Sequence, residues 1–169
     1  MPFIVTDDGW IEIAGRVAPC VLGRGGVKPA SHKIEGDGAT PLGAWPIRGV
    51  LYRADRVARP ETRLPVEAIR ETDGWCDSPD DAAYNCPVTL PYDASHERMW
   101  RDDHVYDLVA VLGHNDDPVI AGAGSAIFLH LEQPDRRPTE GCVAISRDDF
   151  LALVSAARPG DVLEVRRAG

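Results

Sequence analysis

Glycine and proline residues divide the chain into short segments, and the shortness of these segments constrains the fold more than any other feature. The 169 residues include 16 Gly and 14 Pro. Strand-like sequence lies between them, in the alternating Trp10–Ile13 and in the nearly continuous apolar run Val105–Leu112. Alternation is typical of a half-buried strand, and a continuous β-branched run is typical of a central strand. Further strands are predicted over residues 16–22, 44–52, 64–71, 125–131 and 161–165.

Two segments have helical character. Ala94–Arg101 is predicted as a helix with Ser95 as its cap. A second helix is predicted to begin after Ser146, with Asp149 placed for a capping box, and to stop before Pro159-Gly160. Many short strands with only two short helices indicate a β-dominated α+β fold. The length fits one domain spanning residues 1–169.

Charge and composition exclude several functions. The formal net charge is −9, which disfavours nucleic acid and an anionic membrane surface as partners. Membrane insertion is not expected, because no apolar run is long enough to span a bilayer. No C-x-x-C pair occurs, so we predict no metal site, and nothing in the sequence indicates a cofactor. Cys76 and Cys86 bracket one loop and form either a disulfide or two separate thiols.

A histidine and a cysteine stand out as candidate catalytic residues. His130 lies near the end of the apolar run Ile127–Leu131, and Cys142 follows twelve positions later, directly after Gly141. A Cys–His pair that meets in the fold makes a thiolate–imidazolium nucleophile. Gly141 permits a tight backbone path, and the amides around it are candidates for an oxyanion hole. The alternative is a core histidine and a buried cysteine that are close only in sequence.

Other residues are candidates for binding a substrate. Thr139 and Glu140 belong to the polar loop before Cys142, where a substrate channel would run. Lys33 either binds a carboxylate or is a plain surface lysine, and His114-Asn115 either lines the cleft or forms a turn. The segment that contains Trp75, Tyr84 and Asn85 either forms a lid or only covers the sheet.

Three ordered blocks resemble one known family. They are the signature-like Lys33–Gly43, the strand Gly124–His130, and the Thr-x-Gly-Cys-Val pattern at Thr139–Val143. Together they are similar to the L,D-transpeptidase catalytic domain, the YkuD-like family, over roughly residues 11–165. The resemblance implies a mixed β-sheet or sandwich with one or two short helices.

The resemblance also implies a reaction and a substrate. Cys142 would attack a peptidoglycan stem peptide at the L-centre of a diamino acid and expel the terminal D-alanine. His130 would activate the thiol, and an amine or water would resolve the thioester. Glu140 stands where the family often has His, and Ala144 stands where it often has Arg or Asn. Glu140 is expected to raise the thiol pKa unless Arg136, Arg137 or Lys33 compensates.

The departures leave two further functions open. One is a hydrolase on the same scaffold, such as an L,D-carboxypeptidase, an amidase or an effector. The other is a non-catalytic module that binds peptidoglycan. The resemblance implies a periplasmic or cell-envelope location, whereas the amino terminus resembles no signal peptide, so a cytoplasmic location is the alternative.

Overall fold

The computed structural model describes residues 3–169, so the first two residues of the predicted domain lie outside it. The described chain contains thirteen strands, one α-helix and a short 3₁₀ turn at Ala30–His32. The strands in chain order are β1 Phe3–Thr6, β2 Trp10–Ile13, β3 Arg16–Pro19, β4 Val27–Pro29, β5 Thr40–Tyr52, β6 Val66–Ala68, β7 Asp73–Cys76, β8 Pro87–Thr89, β9 His96–Arg98, β10 Leu108–Leu112, β11 Phe128–Leu131, β12 Val143–Ile145 and β13 Val162–Arg166. The helix α1 is Arg147–Ala156.

Strand β5 connects the two halves of the main sheet. The strand order is β12-β11-β10-β5-β13-β1-β2-β3, with β4 and β6 also paired to β5. The first part of β5 pairs with β13 and its second part pairs with β10. The sheet contains parallel pairs, such as β11–β12, and antiparallel pairs, such as β10–β11. The predicted β-dominated, mixed-sheet fold is therefore confirmed.

The two ends of this sheet approach each other. Beyond β3, Val21 forms an antiparallel bridge with Ala144 of β12, with both backbone hydrogen bonds made at 2.8 and 2.9 Å. Gly23 and Thr139 form a second bridge next to it. The sheet thus becomes a nearly closed sandwich, and the segment before Cys142 is held from both sides.

The second half of the sheet is buried on both faces by two separate cores. Leu129 and Leu131 of β11 point into the larger core, which also contains Phe150 and Leu153 of α1. Phe128 points the other way, into a smaller core that also contains Cys142. This alternation follows from strand geometry, and it explains why the sequence of β11 is apolar apart from His130.

The smaller core is covered by a second sheet, with the order β8-β7-β9. The helix predicted at Ala94–Arg101 is wrong, because β9 lies inside this range and pairs antiparallel with β7. The segment is only eight residues long, too short for a helix that is stable by itself, so strand pairing overrides its helix propensity. Pairing to β7 places Glu97 opposite Trp75.

The second predicted helix is confirmed as α1. Ser146 is its N-cap, with Oγ accepting a hydrogen bond from the Asp149 amide at 3.1 Å and donating to the Asp149 carboxylate at 2.6 Å. Phe150, Leu153 and Val154 are buried, as their spacing predicts. No helix among residues 3–169 is long and apolar enough to cross a membrane.

Candidate active site

Cys142 and His130 lie on the same face of the sheet. β11 and β12 are parallel, and His130 is opposite Ala144. Alternate residues of a strand share a face, so Cys142, two residues before Ala144, points to the same side as His130. All three residues line one cavity of about 190 Å³. A register shift by one residue would have separated the sulfur from the imidazole.

The Cys142 thiol is buried and hydrogen-bonded by the main chain. Its sulfur donates to the Ala126 carbonyl at 3.2 Å and accepts from the Phe128 amide at 3.3 Å. Burial raises the pKa of this thiol to about 12, and the nearby Glu97 carboxylate adds to the increase. The Phe128 amide, Lys33 and Arg101 lower the pKa by smaller amounts. The resting side chain is therefore a thiol.

His130 is oriented by a backbone carbonyl. Its Nδ1 is 2.8 Å from the Leu131 carbonyl oxygen, which can only accept, so Nδ1 carries a proton. Burial lowers the pKa of His130 to about 4, so the ring is neutral near pH 7 and Nε2 holds a lone pair. The Tyr106 ring packs edge-on against the imidazole, with 5.3 Å between centroids.

These two pKa shifts change the expected resting state. The sequence predicts a thiolate–imidazolium pair, whereas the raised pKa of Cys142 and the lowered pKa of His130 favour a neutral thiol and a neutral imidazole. Desolvation is the main cause at both residues, because burial disfavours either charged form. A neutral imidazole with a free Nε2 is equipped to act as a general base.

Thr139 and Gly141 shape the turn that presents Cys142. Thr139 Oγ1 donates to the Cys142 carbonyl at 2.6 Å and accepts from the Gly141 amide at 3.1 Å. Gly141 has φ of +135°, and a Cβ there would lie 2.9 Å from the Ala39 carbonyl oxygen. The position therefore requires glycine for both conformation and space.

Glu140 is not left as a free anion beside the thiol. Its carboxylate accepts a hydrogen bond from Arg24 Nε at 2.8 Å, and both side chains are largely exposed. Arg136, Arg137 and Lys33, the cations expected to offset the charge of Glu140, do not make this contact. Glu140 and Ala144 both line the cavity.

Lys33 is a buried structural cation. Its ammonium donates to Asp37 at 2.5 Å and to the Ile34 carbonyl at 3.0 Å. Lys33 does not belong to the cavity lining, although its charge contributes to lowering the pKa of Cys142. A role in binding a substrate carboxylate would require this ion pair to open.

His114 and Asn115 lie near Lys33, away from the cavity lining. His114 is buried, its Nδ1 has no partner among the described residues, and burial lowers its pKa to about 4. The Asn115 side chain donates to the Ile120 and Gly124 carbonyls and accepts from the Ile120 amide. These bonds are typical of a turn, the second of the two readings of this dipeptide.

The segment around Trp75 and Asn85 supports the backbone next to the thiol. Trp75 Nε1 donates to Asn85 Oδ1 at 3.0 Å, and the same oxygen accepts from the Ala126 amide at 3.0 Å. Ala126 is the residue whose carbonyl accepts from Cys142. Tyr84 binds Glu35 and the Gly124 amide on the neighbouring loop. This segment therefore covers the sheet and fixes the backbone just before β11, beside Cys142.

Sequence reasoning missed several residues of the cavity wall. Glu97, Arg101 and Tyr106 line it together with Cys142 and His130. Tyr106 Oη donates to Glu97 Oε2 at 2.7 Å. Glu97 and Arg101 fall in the segment predicted as a helix. If that segment is interpreted as a strand whose side chains alternate between two faces, Glu97 is predicted to point inward. This alternation is the one local signal for the position of Glu97.

The family comparison agrees with this arrangement. The matching family model covers residues 3–165 and is YkuD, the L,D-transpeptidase catalytic domain. The chain belongs to this family. Searches of curated proteins and of solved structures each found no match. Family membership confirms the resemblance noted in the sequence and supports an L,D-transpeptidase, peptidoglycan-related function.

Proposed function

We propose that the protein is a cysteine acyltransferase that acts on peptidoglycan stem peptides in the cell envelope, with Cys142 as nucleophile and His130 as general base. The single observation that carries this proposal is the common face: the thiol and a carbonyl-oriented imidazole line one cavity. Membership of the YkuD family supports the substrate class.

The first half-reaction transfers the acyl group to sulfur. His130 Nε2 takes the thiol proton, which in the resting structure is directed at the Ala126 carbonyl. The sulfur attacks the carbonyl carbon at the L-centre of the diamino acid, and a C–S bond forms. The C–N bond to the terminal D-alanine then breaks, and His130 returns the proton to the leaving amine. The product is a thioester on Cys142.

The developing oxyanion requires main-chain donors. The Cys142 amide is the first candidate. The Gly141 amide is the second, but it donates to Thr139 Oγ1 in the resting structure, so its participation requires this bond to lengthen or be shared. One such donor typically contributes about 3–4 kcal/mol to transition-state stabilisation.

The second half-reaction resolves the thioester. An amine from a second stem attacks the acyl carbon, a C–N bond forms and the C–S bond breaks. The proton lost by the amine passes through His130 to the leaving sulfur. If water attacks in place of the amine, the protein is a hydrolase. If Cys142 does not react at all, the protein is the non-catalytic module that binds peptidoglycan.

Intact-mass spectrometry after incubation with a tetrapeptide stem or a carbapenem tests the proposal. We expect a covalent adduct in the wild type and in Cys20→Ala, and none in Cys142→Ala. Cys20 is a matched control because it is also buried, its thiol pKa is also raised to about 12, and it does not line the cavity. An adduct that persists in Cys142→Ala would contradict the proposal.

An added amine acceptor then separates the two enzyme readings. Formation of a cross-linked peptide supports transfer, whereas release of the free tripeptide alone supports hydrolysis. Absence of any adduct in a folded wild-type protein, with retained binding of the stem peptide, would support the non-catalytic module.

A further inference from the structure

Glu97 is an acidic side chain within the cavity that holds the candidate catalytic pair. It comes from β9 of the covering sheet, is partly buried, and lines the cavity together with Cys142 and His130. The Tyr106 hydroxyl donates a hydrogen bond to Glu97 Oε2 at 2.7 Å, and this is the one side-chain hydrogen bond that Glu97 makes among residues 3–169. An ionised carboxylate accepts up to about four hydrogen bonds, so most of its capacity is unused.

The other charged residues of the cavity wall are already paired. Arg101 pairs with Asp103, Arg137 pairs with Asp135, and Glu140 pairs with Arg24. Among residues 3–169, Glu97 is the charged group of this wall without an ion pair. Burial raises the pKa of Glu97, and the Tyr106 hydrogen bond and the Arg101 charge oppose this increase with smaller effects. The ionised carboxylate is therefore costly at this position unless a ligand supplies a cation.

When no ligand is bound, the Glu97 carboxylate also disfavours ionisation of the Cys142 thiol. Its negative charge raises the pKa of Cys142 and so opposes formation of the thiolate. A cation bound to Glu97 would cancel this effect and at the same time favour the ionised carboxylate. The same contact would therefore bind a cationic substrate and ease activation of the thiol.

We propose that Glu97 and Tyr106 form a binding site for a primary ammonium group of the substrate, next to Cys142. This inference rests on the function proposed above, because it names the group of that substrate which the site recognises. The ammonium has two possible sources, the side chain of the diamino acid in the donor stem and the amine of the acceptor stem.

The two sources imply different roles for the carboxylate. A donor ammonium is held by charge-assisted hydrogen bonds and undergoes no covalent change. An acceptor ammonium first gives one proton to Glu97, and the neutral amine then attacks the thioester carbon. The C–S bond breaks, the second proton of the amine passes through His130 to sulfur, and Glu97 releases its proton to solvent.

The donor arm measures equilibrium binding in a Cys142→Ala background, where no acylation occurs. Binding of a tetrapeptide stem is measured by calorimetry with its diamino-acid amine free or acetylated. We expect about tenfold tighter binding of the free amine, and loss of this preference in Glu97→Gln. Glu12→Gln, a change of equal charge at an exposed position on β2, is expected to retain the preference.

The acceptor arm measures the ratio of aminolysis to hydrolysis of the acyl-enzyme in proteins with an intact Cys142. We expect Glu97→Gln to lower this ratio about tenfold or more if the acceptor is the source, and Tyr106→Phe to lower it by less. A response in either arm supports the inference and identifies the ammonium.

Unchanged binding preference together with an unchanged ratio would overturn the inference. If the wild type forms no acyl-enzyme, the proposed function fails, and the donor arm alone decides the inference: a preference for the free amine that Glu97→Gln abolishes supports it, and no such effect overturns it. Thermal melting of each variant verifies that the fold is intact.

Discussion

At the residue scale, Asp37 shows how strongly burial changes the contribution of an ion pair to the stability of the fold. Its carboxylate accepts from the Lys33 ammonium, from the Lys28 ammonium and from two backbone amides. The side chains of Lys33 and Asp37 are only 3% and 5% exposed, whereas the Lys28 side chain is 38% exposed. Buried pairs lose several kcal/mol when one partner is removed, because the remaining charge stays in a poorly solvated site.

Replacing the two lysines separately tests this difference. We expect Lys33→Met to lower the free energy of unfolding by about 3–5 kcal/mol, and Lys28→Met to lower it by less than about 1 kcal/mol. Urea denaturation measures both. Equal effects of the two substitutions would show that the buried position has no special weight.

The same carboxylate gives the fold a defined acid sensitivity. Burial alone would raise the pKa of Asp37, but the hydrogen bonds from the Ile34 amide, Lys33 and the Ala39 amide outweigh burial and hold this pKa well below its usual range. The stabilisation is therefore complete above about pH 4, the ordinary carboxyl pKa, and is lost as the pH falls below it.

At the element scale, α1 supports the strand that follows the nucleophile. β12 leads from Cys142 to the Ser146 cap, and the apolar face of α1 packs in the larger core beneath β11. Two local features of the sequence predict α1: a capping residue, and apolar residues at helical spacing after it. That is why this helix could be predicted from the sequence.

Removing the cap should weaken this support. Ser146→Ala is expected to lower the free energy of unfolding by about 1 kcal/mol. Ser155→Ala, near the other end of the same helix and exposed, is expected to change it by no more than about 0.5 kcal/mol. Equal losses measured by urea denaturation would exclude a specific role for the cap.

The covering sheet shows where sequence information ends. β7, β8 and β9 are three or four residues long, and their identity as strands depends on pairing with one another. No local pattern in Ala94–Arg101 opposes a helix strongly, so the sequence alone favours a helix there. Glu97 is therefore not recognisable as a site residue from the sequence, whereas His130 and Cys142 are marked by the apolar run and the Gly-Cys step beside them.

At the scale of the whole molecule, the site lies where the main sheet closes on itself. The Val21–Ala144 bridge and the parallel pairing of β11 with β12 bring the chain before and after Cys142 into fixed positions. The β-dominated class could be predicted from the frequent Gly and Pro residues between short segments and from the alternation of apolar and polar residues within them. The closure could not, because it depends on contacts between residues more than 100 positions apart.

The central claim is that Cys142 is the acyl-accepting nucleophile and that His130 is its base. Peptide mapping of protein acylated by a tetrapeptide stem, followed over time in the wild type and in His130→Gln, tests it most directly. We predict that the acyl group is found on the peptide that contains Cys142, and that its rate of formation falls by a factor of about 10²–10⁴ in His130→Gln. An acyl group on Cys20, Cys76 or Cys86, or an unchanged rate in His130→Gln, would contradict the account.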